Sequence, residues 1–294
     1  MAIATFAAVV LIIASLFVDN VSGGGDAEVL RSVDAHSGSA TLSGLMRAVA
    51  FALLAFPLLY LFRAVRARSE RVRGQLIGLV VIAPIFLGLS SGVAVVAQQE
   101  AADEFLAGEA KSTLTQKEAK EDCVEERQDE GNDFLVDEYE PAKGESPLRA
   151  CEEDKIEEDQ ASNARTEASF TPFATGLGIA GGLGFVIALF YSCLWAMRTG
   201  LLTRFWGSLG MALGVAALFG LMPFVLLWFL YFGLLLLGRL PGGRPPAWEA
   251  GEAIPWPTPG EKAAAELEPE DGWEESAEDD GEDEGPKRKR KQRE

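Results

Sequence analysis

The run GSLGMALGVAALFGLMPFVLLWFLYFGLLLLG, residues 207–238, is 32 residues long and carries no charged side chain. As one straight helix it would extend about 48 Å, well beyond the roughly 30 Å of bilayer hydrocarbon. Gly220, Leu221, Met222 and Pro223 sit near its middle. Two architectures therefore compete. One is a single long helix kinked at Pro223. The other is a hairpin of two arms, 204–220 and 222–238, whose weak point is an apolar turn with backbone groups that need partners.

Working outward, four more apolar runs appear at 2–18, 44–62, 75–97 and 173–197. The first ends at Asp19 and Asn20. It reads as a retained helix rather than a secretory signal, because no Lys or Arg precedes it and no small-x-small cleavage site follows. The short linker after the second run holds Arg63, Arg66, Arg68, Arg71 and Arg73 against Glu70 alone. Such an excess marks the cytoplasmic side. Alternation then places 98–172 outside and the linker bearing Arg198 and Arg204 inside. A hairpin at 204–238 brings Arg239, Arg244 and the basic cluster 287–293 inside as well, whereas a single helix would put them all outside. The charges favour the hairpin. The fold class is therefore all-α, an integral membrane helical bundle of six spans, with five as the alternative. It carries an extramembrane helical hairpin at 98–172 and a disordered tail within 239–294. Both termini are expected to be cytoplasmic.

This topology also resolves a conflict in the composition. The 294-residue chain is 48% hydrophobic yet has a net charge of −18. Segment 98–172 carries net −15 and segment 239–294 net −7, while the rest is net +4. The charge lies on two water-facing segments, which excludes a simple soluble enzyme and a basic nucleic-acid binder. In the outer segment, 100–130 and 148–168 read as helices, with a Pro- and Gly-bearing loop at 133–147 between them. Its apolar residues are too sparse for an independent core. The outer loop 19–43 reads as having no core of its own. The tail should be unstructured after about Trp248.

Cys123 and Cys151 fall on the two outer helices, in a compartment that permits disulfides, and a bridge would compensate for the thin core. Two cysteines without neighbouring histidines make a poor zinc site. Cys193 lies within the fourth span as a small packing residue.

Several strings imitate chemistry. GLGIAG at 176–181 matches a dinucleotide fingerprint, but it opens a membrane helix and follows no strand. Small residues four apart instead suit close helix packing. Gly178 and Gly182 fit that pattern, as do Gly88 and Gly92, Gly210 and Gly214, and the series Gly176, Ala180, Gly184 and Ala188. GLSSG at 88–92 matches a nucleophile elbow, but no base lies within a span, and the only histidine, His36, is in an outer loop. Ser90 and Ser91 are better read as hydrogen-bonding to backbone or neighbouring helices. Arg47 is the one charged residue well inside an apolar run, near enough to its outer end to reach the interface. Without a buried acid or base, proton-coupled transport is disfavoured, although Pro57, Pro84 and Pro223 could interrupt helices as in carrier sites. The acidic runs lack EF-hand spacing. No cofactor, metal or catalytic residue is expected.

LLTRF at 201–205, GRLPGGRPPAWE at 238–249 followed by PWP at 255–257, and YLFRA at 60–64 together resemble a family of uncharacterised multi-pass membrane proteins of high-GC Gram-positive bacteria. The resemblance covers the membrane part and the segment just after it. It implies topology and location, and it carries no activity. The expected role is a structural or interaction subunit of the envelope, with the lipid bilayer and a second copy or envelope protein as partners. A small-solute transporter or channel-like protein is the alternative, and an outer-face sensor a third. No nucleic-acid partner is expected.

Overall fold

The computed structural model describes residues 1–130, 139, 146–240 and 243–256. The loop read at 133–147 falls mostly outside the described residues. So do the tail from 257 onward and its basic cluster 287–293.

All regular elements among the described residues are helical. In chain order they are α1 (Ala2–Val18), α2 (Asp26–Ala35), α3 (Ser37–Arg68), α4 (Ile77–Leu106), α5 (Gln116–Glu130), α6 (Pro147–Glu167), α7 (Thr171–Arg198), α8 (Arg204–Ala216), α9 (Met222–Leu237) and α10 (Ala247–Ala250). A short 3-10 turn precedes α4 and another follows α8. The stretches Ser37–Arg68, Gly74–Leu106 and Thr171–Arg198 are long and apolar enough to cross a membrane. Three shorter apolar helices, Ala2–Val18, Arg204–Phe219 and Met222–Leu237, accompany them. The long helices overrun the apolar runs read from sequence, because their polar ends continue the same backbone ladder past the hydrocarbon-length core.

The disputed stretch folds back on itself. Trp206 stacks on Tyr231 with ring centroids 3.5 Å apart, and Trp228 Nε1 donates to the Trp206 carbonyl at 2.9 Å. Residues near the start of α8 thus meet residues in the middle of α9, beyond the turn, as antiparallel arms require. The turn has internal partners for its backbone. Gly220, at φ +78°, donates to the Ala217 carbonyl, and Leu221 donates to the Ala216 carbonyl, each at 3.3 Å. This paired closure satisfies carbonyls that the end of a helix leaves unpaired, and it needs a left-handed residue that glycine supplies without strain. Pro223 then falls at the first turn of α9, where its missing N–H costs nothing. Pro57 and Pro84 lie instead within continuous helices.

Six apolar helices form a closed ring. In order round the ring, α1 packs on α3, α3 on α4, α4 on α7, α7 on α8, α8 on α9, and α9 back on α1. Leu54, Leu58, Leu61, Phe62, Phe185, Leu189, Trp228, Phe229 and Phe232 fill the middle, and no charged side chain belongs to this buried cluster. In a lipid surround, as apolar as these side chains, such a ring would be held by close packing rather than by the hydrophobic effect. Glycines make that packing possible. A Cβ on Gly88 would lie 2.5 Å from the Ala48 carbonyl oxygen. On Gly181 it would lie 2.7 Å from the Leu87 nitrogen, and on Gly210 2.7 Å from Trp228 Nε1. Gly44, Gly184, Gly207 and Gly233 seat neighbours in the same way on their own seams.

At the arginine-bearing end, residues 243–256 run back over the α7–α8 turn. Trp248 Nε1 donates to the Leu201 carbonyl at 2.8 Å, and Trp256 Nε1 donates to the Leu202 carbonyl at 2.9 Å. Arg68 Nε donates to the Ala247 carbonyl at 2.9 Å while its guanidinium lies over the Trp248 ring. Tyr60 stacks against Trp248 as well, with ring centroids 5.9 Å apart. The sequence reading began an unstructured tail near Trp248. The chain instead stays docked to Trp256, because two indole N–H groups find carbonyls at a helix end. Gly200 closes α7 at φ +77°, and a Cβ there would strike the Ile254 carbonyl oxygen. Gly200→Ala should therefore cost about 1–2 kcal/mol in left-handed backbone strain alone and detach the clasp. Limited proteolysis within 249–256 should become markedly faster, and an unchanged rate would contradict the docking.

Candidate functional site

The opposite end of the ring carries a second, thin layer of helices, and most of the candidate functional groups lie there. The loop 19–43 read as lacking a core folds into α2 and the start of α3. Ala27, Leu30 and Val33 point from α2 onto Ala101, Ala102 and Phe105 of α4 and Ala161 and Ala164 of α6. Burying Leu30 and Val33 contributes roughly 1.5–3 kcal/mol each. Helix α2 starts under a carboxylate from α6. The Asp26 and Ala27 N–H groups donate to Glu158 at 2.6 and 3.2 Å, where a negative charge also suits the helix dipole. Ion pairs Arg165–Asp26 and Arg31–Glu157 tie the same two elements. His36 marks the α2–α3 junction, exposed, with Nδ1 3.1 Å from the Ser32 carbonyl.

The helix read over 100–130 is two helices. Segment 107–115 interrupts it, and Asp159 of α6 organises that interruption. Its carboxylate accepts from the N–H groups of Thr113 and Leu114, at 2.6 and 3.0 Å, and from Ser112 Oγ at 2.7 Å. Helix α5 then opens with a capping box. The Thr115 N–H donates to Glu118 at 2.9 Å, and the Glu118 N–H returns to Thr115 Oγ1 at 3.3 Å.

Cys123 and Cys151 form a disulfide that joins α5 to α6, with Cα atoms 6.1 Å apart. Beside it, Glu126 accepts from Tyr139 Oη at 2.9 Å and from Lys155 Nζ at 2.5 Å. Partial burial works against the Glu126 carboxylate, but the Lys155 and Tyr139 hydrogen bonds outweigh it and hold its pKa below the ordinary value. Burial, reinforced by the bond to Glu126, pushes the Tyr139 phenol up to about 12. Asp159 behaves like Glu126: desolvation opposes its charge, and the Ser112, Leu114 and Thr113 donors prevail. Carboxylates depressed in the folded state add stability above their unfolded pKa values and lose it as pH falls through the folded ones. The α5–α6 pair should hence be firm at neutral pH and loosen as pH drops below the ordinary 4.5 and 3.8 of these groups. Tyrosine fluorescence or amide exchange of this layer during acid titration would follow it. Glu126→Gln with Asp159→Asn should flatten the dependence, and an unaltered acid profile would contradict it.

Glu118, Glu121, Asp122, Glu125 and Asp129 of α5 are exposed, in a different sector from Ala119 and Cys123. Among the described residues no group of three His, Cys, Asp or Glu side chains has a metal-holding arrangement. Helix α5 presents these acids on its exposed sector.

Between layer and ring lies a polar cavity of about 470 Å³ lined by Asp19, Ser43, Arg47, Ser90, Ser91 and Gln98, among others. Arg47 pairs there with Asp19, and its guanidinium also donates to Ser43 Oγ at 3.1 Å. Ser90 Oγ donates to the Ala174 carbonyl of α7 at 2.8 Å, and Ser91 Oγ to Leu87 of its own helix at 3.0 Å. None of the lining residues belongs to the buried cluster of the ring.

The packing glycines divide. Gly88, Gly178, Gly210 and Gly214 lie at seams, Gly178 with 2.9 Å from its would-be Cβ to Ser90 Oγ. Gly92 and Gly182 are peripheral, at 4.0 Å from Ala48 and 3.6 Å from Leu218. On α7 the buried positions are Ala174, Gly181, Gly184, Phe185, Ala188, Leu189, Ser192, Cys193 and Ala196, a face that recurs at three, four and seven residues. A strict four-residue spacing drifts off that face, which leaves Gly176 and Ala180 exposed. The arginines Arg63, Arg66, Arg68, Arg71, Arg73, Arg198, Arg204, Arg239 and Arg244 gather at the clasped end. Of these, Arg68 is built into the clasp, and Arg244 Nε donates to the Leu235 carbonyl at 3.2 Å, closing α9. The Pro-rich, Trp-bearing wording of this stretch points to an extended segment along the end of the ring, and its docking on the Leu201 and Leu202 carbonyls is what the wording alone does not give.

No family model, curated protein or solved structure matches this chain.

Proposed function

We propose that the chain is a six-span protein of the bacterial plasma membrane, of the multi-pass kind its sequence resembles, with the arginine-bearing end in the cytoplasm and the acidic layer outside. It serves as a structural or interaction subunit of the envelope. The observation that carries this is the contrast between the ring and the layer beside it: an interior filled by aromatic and aliphatic side chains, and a disulfide-braced layer with exposed acids. A filled interior offers no polar route for a solute, while a rigid charged platform suits a partner whose surface is basic. The arms of the α8–α9 hairpin, about 24 Å each at 1.5 Å per residue, are shorter than the hydrocarbon core. Phe219, 77% exposed at the tip, keeps that end in lipid. Small-solute transport is the second reading, favoured by the polar cavity around Arg47 and Asp19.

Co-purification from native membranes after mild crosslinking tests the first reading. A defined partner or a second copy retained through the outer layer is the expected result. Recovery of a lone monomer, with or without crosslinking, would overturn it.

A further inference from the structure

We infer that the clasped end holds a specific binding site for an anionic phospholipid, seated between α7, α8 and the returning chain. A cavity of about 600 Å³ lies there, lined by Leu194, Met197 and Arg198 of α7, Phe205 and Ser208 of α8, and Pro255 and Trp256 of the clasp, with Arg204 at the same wall. Its volume falls within the range of small-molecule sites. Its chemistry is split. Leu194, Met197, Phe205 and Pro255 give an apolar wall, and Phe205 is 65% exposed on the face a bilayer would cover. Arg198 and Arg204 supply two guanidiniums, each always charged and shaped to bind phosphate oxygens in pairs. Both are fixed from the side. Arg198 lies 5.2 Å from the Trp195 ring centroid. Arg204 donates to the Trp256 carbonyl at 3.0 Å, and Trp256 is itself held by its bond to Leu202. A phosphodiester between the guanidiniums and a glycerol or acyl segment against the apolar wall would match both halves. A free phosphate would leave most of the volume unfilled. The neighbouring cavity beside Arg244 has one guanidinium in its lining rather than two.

The site rests on the membrane reading proposed above, but its test in detergent does not depend on sidedness, so the two can fail separately. The purified, delipidated full-length protein is titrated with phosphatidylglycerol, and with phosphatidylcholine of the same chains, and followed by native mass spectrometry. Phosphatidylglycerol should bind and phosphatidylcholine should bind at least about tenfold more weakly, equivalent to one lost charge-assisted contact. Arg198→Gln with Arg204→Gln should weaken phosphatidylglycerol by at least that factor. Ser208→Trp, which fills the cavity and keeps both charges, should do the same. Arg239→Gln, which removes a charge outside the cavity, should bind as the parent does. Millimolar inorganic phosphate should not displace the lipid. Equal binding by the parent and both cavity variants, equal binding of the two lipids, or displacement by phosphate would each overturn the assignment.

Discussion

Serine at both Cys123 and Cys151 is expected to unfasten the α5–α6 pair while the six-helix ring stays folded. The bridge closes a loop with a sequence separation of 28. In the chain-entropy description a loop of that size is worth roughly 3–4 kcal/mol. Little else in this pair approaches that magnitude. The apolar cluster around the bridge contains, besides the cysteines, only Tyr139 and Leu148 among the described residues. The Lys155–Glu126 ion pair is about a third exposed on each side, and solvent screening limits such pairs to about 1 kcal/mol or less. Amide exchange over 116–130 and 147–156 should therefore rise toward unprotected rates in the double serine variant, while α3, α4 and α7 keep their protection. Retained protection of α5 without the bridge would mean that the outer layer is held by contacts other than those described.

Gly181→Ala and Gly182→Ala, at adjacent positions on one helix, are expected to act in opposite directions. A methyl on Gly181 would meet the Leu87 nitrogen at 2.7 Å and the Ala83 carbonyl oxygen at 3.1 Å. Both are backbone atoms of α4 and can yield only if the whole helix moves. Overpacking of this kind costs about 1–3 kcal/mol, and the rigidity of the obstacle places it at the upper end. A methyl on Gly182 meets Leu218 Cδ2 at 3.6 Å, an ordinary contact. There the gain in helix propensity, up to about 1 kcal/mol, goes unopposed. Thermal or denaturant unfolding in detergent should show Gly181→Ala clearly destabilised and Gly182→Ala equal to the parent or better. Equal losses at both positions would contradict the α4–α7 seam.

The helical ring was the most legible part of the sequence. The run 2–18 matches α1, and the hairpin followed from placing Arg239 and Arg244 on the same side as Arg198 and Arg204. Hydropathy and charge are properties of the chain itself, and a membrane span uses little else. Disulfide pairing was legible too, since only Cys123 and Cys151 shared a segment. Helix α2 was hidden because its core comprises three positions, Ala27, Leu30 and Val33, on ten residues that follow three glycines. Their partners lie on α4 and α6, far along the chain. The division between α4 and α5 was equally remote in origin, because the carboxylate that stabilises segment 107–115 comes from Asp159. The clasp depends on where two indole N–H groups find carbonyls at the end of α7, and composition around Trp248 and Trp256 pointed to an unstructured tail instead. Elements set by local pattern were thus readable, and elements set by one distant polar contact were not.

The six-span arrangement is tested most directly by the side on which the clasp lies. Gln128 of α5 and Glu252 of the clasp are both exposed, the native Cys123 and Cys151 are bridged, and Cys193 is buried. Single-cysteine substitutions Gln128→Cys and Glu252→Cys can thus be probed in intact cells with a membrane-impermeant maleimide over a low background. The expected result is labelling of Gln128→Cys in intact cells and labelling of Glu252→Cys only after permeabilisation. Labelling of Glu252→Cys in intact cells would put both ends of the ring on one side and contradict the hairpin as a pair of membrane crossings.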